Sequence, residues 1–208
     1  MDFKDTITWY DDNAKEYAKN LYTVTPIESI EKFLNFLPDK PFILEAGCGP
    51  GRESKVFIEK GIRVVGVDLS EGLLKIAREN NPTAEYIKAN FLNLPFEDKA
   101  FDGVWSHASL VHLETMEDVR KALAEFRRVL KPVGVVYVCV KAQAGTEKTA
   151  VVSDSLSKHE RFFRYYTRDE LVGLLADAGF EMAEIGYKAD MHGRAEVRWI
   201  ECIARSVR

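Results

Sequence analysis

No apolar run in the chain approaches 18 residues, so no segment reads as a membrane-spanning helix. The opening residues, MDFKDTITWYDD, are too polar for a secretory leader. Basic residues are not in surplus either: 29 Lys and Arg stand against 33 Asp and Glu, a net charge of -4. Nucleic-acid binders usually carry a basic excess, so neither nucleic acid nor membrane is expected as a partner, with only a local patch left open. Cysteine is scarce, and Cys48, Cys139 and Cys202 lie far apart in apolar surroundings. They offer neither a metal-ligand spacing nor a disulfide framework, so no metal is expected and a cytoplasmic location is. What remains is a chain of 208 residues, 46% hydrophobic and 30% charged, with material for one large domain. A monomer or homodimer is the expected assembly.

Neither internal repeats nor low-complexity stretches interrupt the chain. Two helices are predicted near residues 12–21 and 27–36, the second stopped by Pro38 and Pro41. From residue 42 the pattern changes to short apolar runs alternating with helical spacing. Strands are predicted at 42–44, 62–67, 86–87, 101–105 and 133–140, with helices after Gly51, Ser70 and Thr115 between them. Ser70 reads as an N-cap, and Thr115 with Asp118 and Thr167 with Glu170 read as capping boxes. Gly61 and Gly179 are placed to end helices. Two last strands, 180–187 and 196–204, have no helix between them and must form an antiparallel hairpin. Strands alternating with helices predict one doubly wound α/β domain.

Ligands of such sheets bind at the carboxyl ends of the strands, near the switch point. There the chain reads ILEAGCGPGRES, with Gly47, Gly49 and Gly51 in a G-x-G-x-G spacing that permits a sharp turn and close backbone approach. Glu45, two residues before Gly47, would repel a pyrophosphate but suits a ligand carrying an ammonium or sulfonium charge. Asp68 follows Gly47 by 21 residues, at the end of the second strand, where a carboxylate accepts from ribose hydroxyls.

These residues carry a resemblance to the class I S-adenosylmethionine-dependent methyltransferases. EAGCGPG and VVGVDLS resemble the first two motifs of that family, with Asp68 as the ribose acid. KANFLNLPFEDKAFDGVWS resembles its third-strand loop and fourth strand, LKPVGVVYVCV its fifth strand, and WYDDNAKEYA the N-terminal helix of the small-molecule branch. The resemblance implies a Rossmann-like, seven-stranded sheet of order 3-2-1-4-5-7-6, the last strand antiparallel, under an N-terminal helical lid. It also implies S-adenosylmethionine as cofactor, S-adenosylhomocysteine as product, and a small-molecule methyl acceptor. The corresponding division of the single domain is a cap (1–40), a cofactor-binding core (41–140), an acceptor-pocket loop (141–166), and a C-terminal helix and hairpin (167–208).

By resemblance, Asn90 and Phe91 meet the adenine, with Asn90 standing where many relatives carry Asp; an amide still accepts from the adenine amino group. Leu69 and Ser106 complete the implied cofactor contacts. Cys48 reads as a small residue offering its backbone. Arg52 either turns toward the ligand carboxylate or stands solvated on its helix. Tyr10 and Tyr17, seven residues apart on one helical face, either cover the ligands or only pack. His107 and His112, just past the fourth strand, are candidates for the acceptor side, with His107 the preferred base. RFFRYYT, after a long loop at 141–160, offers Arg161, Phe163 and Tyr165 as a pocket wall or as a plug seating the next helix.

The sequences Asn-Pro-Pro-Tyr and Pro-Cys are both missing, which sets aside the family's adenine and glutamine amino-methylating branch and cytosine C5 methylation. Two alternatives stand beside methyl transfer. One is a non-catalytic binder of the same cofactor. The other is a nicotinamide-dependent oxidoreductase, although Arg52 occupies the last glycine position that G-x-G-x-x-G demands.

Overall fold

The computed structural model describes residues 3–153 and 160–207. Three helices come first: α1 (Phe3–Asp12), α2 (Ala14–Leu21) and α3 (Ile27–Leu34). The core alternates β1 (Phe42–Ala46), α4 (Arg52–Glu59), β2 (Arg63–Asp68), α5 (Glu71–Asn80), β3 (Glu85–Lys88), β4 (Phe101–His107), α6 (Met116–Val129) and β5 (Leu130–Lys141). Beyond it lie β6 (Thr149–Ser153), β7 (Glu160–Arg164), α7 (Arg168–Asp177), β8 (Phe180–Ala189) and β9 (Arg198–Ser206). The main sheet runs β3-β2-β1-β4-β5-β9-β8, and β9 is antiparallel to both of its neighbours. This is the doubly wound order that the resemblance implied.

Neighbouring residues of each central strand enter opposite layers. Leu44 and Val65 join the cluster under α6 and α7, whereas Ile43 and Val64 join the cluster of Phe33 from α3 and Phe57 from α4. Trp105 is fully buried in the second layer, stacked on Tyr137 with centroids 3.8 Å apart. Burial of each such side chain contributes roughly 1.5–3 kcal/mol. The capping signals act as read: Ser70, Thr115 and Thr167 accept from the backbone N–H groups of Leu73, Asp118 and Glu170.

Two expectations need correction. The segment before residue 12 is a helix, α1, and the next helix starts at Ala14 rather than near Asp12. Short isolated helices are marginal, and α1 is held by tertiary contact: Trp9 and Tyr10 are buried against Leu73. The long loop at 141–160 is also not a plain loop. Its described part contains β6, which pairs antiparallel with β7 as a separate two-stranded sheet, Ala150 opposite Phe163. Residues 154–159 of that loop lie outside the described residues. Arg161 and Phe163 therefore project from a strand, and the plug is Tyr166, fully buried with its hydroxyl donating to the Leu110 carbonyl at 3.1 Å.

The cap is latched at Asp11. Its Oδ1 accepts from the Ser70 hydroxyl at 2.7 Å and the Gly72 N–H at 2.9 Å, placing an acid on the positive end of α5. A Cβ on Gly72 would sit 2.7 Å from the Asp11 carbonyl oxygen, a backbone atom that cannot swing away. Helix propensity alone favours Gly72→Ala by up to about 1 kcal/mol. The clash reverses that sign: the variant should lose about 1–2 kcal/mol in chemical denaturation and become cleavable in the first 25 residues under limited proteolysis.

Candidate active site

β1 and β4 mark the point where the strand order reverses, and the turn after β1 lies there. Gly47 and Gly49 adopt positive φ, +78° and +53°. The N–H groups of Gly47 and Cys48 both donate to the Val67 carbonyl, at 2.8 and 3.0 Å, which ties the turn to β2. A Cβ on Gly47 would lie 2.4 Å from the Ser109 Cβ, so this position admits only glycine. Asp68 sits against the same turn: its Oδ2 accepts from the Gly49 N–H at 2.8 Å and its Oδ1 from the Ser70 N–H at 2.9 Å. Burial pushes the Asp68 carboxyl up, and these two N–H groups oppose it. Each oxygen keeps lone-pair capacity for a further donor.

A cavity opens over this turn. Gly47, Cys48, Gly49, Arg52, Asp68 and Leu69 line its floor, and Phe91 its side. Tyr10, Tyr17, His107 and His112 face it, as do Arg161 and Phe163 from β7 and, from the β8–β9 connection, His192 and Arg194. Five of the expected site residues do not line it. Glu45 is 2% exposed and lies beneath the turn, accepting from the Ser54 hydroxyl; burial, then the neighbouring Glu53, pushes its carboxyl up. Gly51 caps α4 and backs onto Asn81 and Tyr86. Asn90 turns its Oδ1 onto the Leu92 N–H at 2.9 Å. Ser106 bonds Ser109, oxygen to oxygen at 2.7 Å, behind Gly47. Tyr165 stands one residue past β7, half-buried, its ring 5.9 Å from the Lys141 ammonium.

The glutamate that lines the cavity is Glu53, in the first turn of α4, a residue that no motif in the sequence singles out. Burial alone would raise its carboxyl, but Arg52, with Nη2 2.5 Å from Oε1, holds it below the usual range. Arg52 is no solvated arginine: it is 3% exposed, and Nη1 donates to the Val24 carbonyl at 2.9 Å, joining α4 to the cap. His107 ends β4 with Nδ1 3.4 Å from Arg52 Nη2 and 3.5 Å from Glu53 Oε1. Burial lowers its pKa to about 4, so the ring stays neutral near pH 7 and is a weak proton acceptor there. Its surroundings do not suit the base expected at this position. Cys48 is a buried thiol pushed well up by burial and by Asp68, consistent with a backbone role.

The methyltransferase-domain family matches residues 44–138. A protein of Encephalitozoon cuniculi named as a methyltransferase is 30% identical over 195 residues, 86% of this chain and 88% of that one. The malonyl-[acyl-carrier protein] O-methyltransferase of Salmonella typhimurium is 29% identical over 83% of this chain and 65% of its own length. The tRNA (carboxymethyluridine(34)-5-O)-methyltransferase of Arabidopsis thaliana is 33% identical over 69% of this chain, which spans 34% of that longer protein. In fold, the chain is similar to the Burkholderia thailandensis 1,6-didemethyltoxoflavin-N1-methyltransferase crystallised with S-adenosylhomocysteine: TM-score 0.76, 21% identity, 99% of this chain and 87% of that one. The chain belongs to the class I S-adenosylmethionine-dependent methyltransferases. That membership displaces the nicotinamide alternative. No helix among the described residues is long and apolar enough to cross a membrane.

The tip of the β8–β9 hairpin is set by Asp190. Its carboxylate accepts from Arg194 Nη2 at 2.6 Å and Nε at 3.0 Å, from the Trp199 indole at 3.0 Å, and from the His192 N–H at 3.0 Å. Burial raises its carboxyl, but these donors prevail and hold it at about 2, below the ordinary 3.8. A lowered folded-state pKa contributes stability that is present above the ordinary value and lost as pH falls through about 2. Thermal midpoints of the wild type and Asp190→Asn should therefore differ by a constant gap from pH 7 to about 4. The gap should close toward pH 2; a gap unchanged at pH 2 would show that Asp190 carries no such linkage.

Proposed function

We propose that this chain transfers a methyl group from S-adenosylmethionine to a small organic acceptor held in the same cavity. One observation carries the reading: the Gly47–Gly49 turn and the Asp68 carboxylate, tied together by the Gly49 N–H, form one floor inside a lidded cavity. These residues fit the cofactor. Asp68 suits the ribose hydroxyls, Phe91 offers an apolar face to the adenine, and Glu53, kept ionised by Arg52, replaces Glu45 as the carboxylate for an ammonium group. When bound, S-adenosylmethionine supplies a methyl group on a sulfonium, a leaving group that departs as a neutral thioether.

The protein's own task is then mainly alignment and exclusion of water. Orientation of two bound reactants accounts for roughly 7–11 kcal/mol of such a barrier. Tyr10 and Tyr17 are placed to shield the site from above, their rings edge-on with centroids 4.9 Å apart. The acid excess of the whole chain and the enclosure by cap and hairpin support a small acceptor over a nucleic acid.

Isothermal titration tests the cofactor assignment. Wild type should bind S-adenosylmethionine and S-adenosylhomocysteine with micromolar affinity. Asp68→Ala should weaken both by tenfold or more, about 1.4 kcal/mol. Equal affinity in wild type and variant would remove Asp68 from the site and count heavily against the reading.

A further inference from the structure

In the cavity wall, three elements remote in sequence converge on one oxygen. Arg161 Nη1, from β7, donates to the Tyr10 hydroxyl of α1. The same oxygen lies 3.3 Å from Nε2 of His112, on the 3₁₀ turn after β4. The other ring nitrogen, Nδ1, lies 2.9 Å from the Phe162 carbonyl oxygen. A carbonyl oxygen only accepts, so this hydrogen bond assigns the ring proton to Nδ1. Nε2 is then the nitrogen with the lone pair, able to accept from the Tyr10 hydroxyl, which also bonds Tyr17. All three side chains face the cavity. Burial pushes the Tyr10 phenol up, which keeps it protonated and able to donate.

From this arrangement we infer that Tyr10 and His112 form a proton relay, and that the acceptor is a molecule whose nucleophilic oxygen or nitrogen bears a hydrogen. The inference rests on the methyl-transfer reading and names its acceptor class: phenols, enols and N–H heterocycles rather than carboxylates or thioethers. The acceptor's O–H or N–H bond breaks and its proton passes to the Tyr10 oxygen, while the Tyr10 proton passes to His112 Nε2. The acceptor atom, left with the electron pair, bonds the methyl carbon as the carbon–sulfur bond breaks. The positive charge of the sulfonium ends on the His112 imidazolium, so charge balances without an oxidant or reductant. The Arg161 N–H stabilises the Tyr10 oxygen as its proton moves. Tyr10 touches the acceptor and is the catalytic residue; His112 acts through it and is a positioning residue. The Tyr10 side chain thus has a role beyond covering the ligands.

Spectra of ¹⁵N-histidine-labelled protein read the tautomer without any acceptor. His112 Nε2 should resonate as an unprotonated nitrogen and shift in Tyr10→Phe; a neutral ring with the proton on Nε2 overturns the relay. Turnover reads the acceptor class. S-adenosylhomocysteine release is followed with 4-nitrophenol, phenol and imidazole, which lose a proton, and with benzoate and dimethyl sulfide, which have none to lose. Turnover is expected from the first group. His112→Gln and Tyr10→Phe should each lower kcat by about 100-fold while S-adenosylmethionine affinity holds within about twofold. Turnover confined to benzoate or dimethyl sulfide, undiminished in both variants, or missing from all five probes while S-adenosylmethionine binds overturns the relay and leaves the cofactor reading intact. Failure of the wild type to bind S-adenosylmethionine overturns that reading instead, and the tautomer is still decided by the nitrogen spectra.

Discussion

The close approach of Ser109 to Gly47 governs the rest of the site. With no side chain at Gly47, the chain leaving β4 packs directly on the chain leaving β1, and the Ser109 hydroxyl donates to the Ala46 carbonyl at 3.0 Å. This contact fixes the separation of the two strand ends at the switch point. On one side it leaves the Gly49 N–H free to meet Asp68; on the other it sets His107 and the 3₁₀ turn that carries His112. The floor of the cavity and the wall that carries His107 and His112 are thus registered to each other through one glycine.

Much of this was legible in the sequence because the signals were local. Alternating strands and helices, the capping residues Ser70, Thr115 and Thr167, and the turn around Gly47 each report on a few adjacent residues, and each adopts the conformation read for it. Of the floor residues, Cys48 and Asp68 follow from the turn and the end of the second strand, Leu69 comes from the family resemblance, and Arg52 was open between ligand and solvent. Choosing between Glu45 and Glu53 was beyond such signals. The two acids lie eight residues apart, and which one reaches the cavity depends on Arg52 being drawn inward to the Val24 carbonyl of the cap, a contact no spacing announces.

The same distinction explains the elements that went unread. α1 has little intrinsic tendency to stand alone, and its helicity follows from burying Trp9 and Tyr10 on α5. β7 carries charged and aromatic residues, ERFFR, where a core strand would carry branched aliphatic ones: Glu160 is exposed, while Arg161 and Phe163 line the cavity. Arg161 shows the result. Read as part of an aromatic run, it sits 3% exposed among the rings of Trp9, Tyr10, Tyr17 and Phe163, each centroid 5.1–5.7 Å from its guanidinium carbon. A cation in such a box joins the cap to the β6–β7 ribbon in a way that needs both segments folded.

The three tryptophans occupy three different layers of the molecule. Trp105 is sealed in the core against Tyr137, Trp9 belongs to the cap, and Trp199 borders the cavity with its indole N–H on Asp190. The protein therefore carries its own optical reporters. Trp105 is enclosed in the core, whereas Trp9 packs on Tyr10 and Tyr17 in the cap and Trp199 borders the cavity on the hairpin side. Each single-tryptophan version of the chain would watch one layer, so that movement of the lid and filling of the site become separable colours of one intrinsic fluorescence.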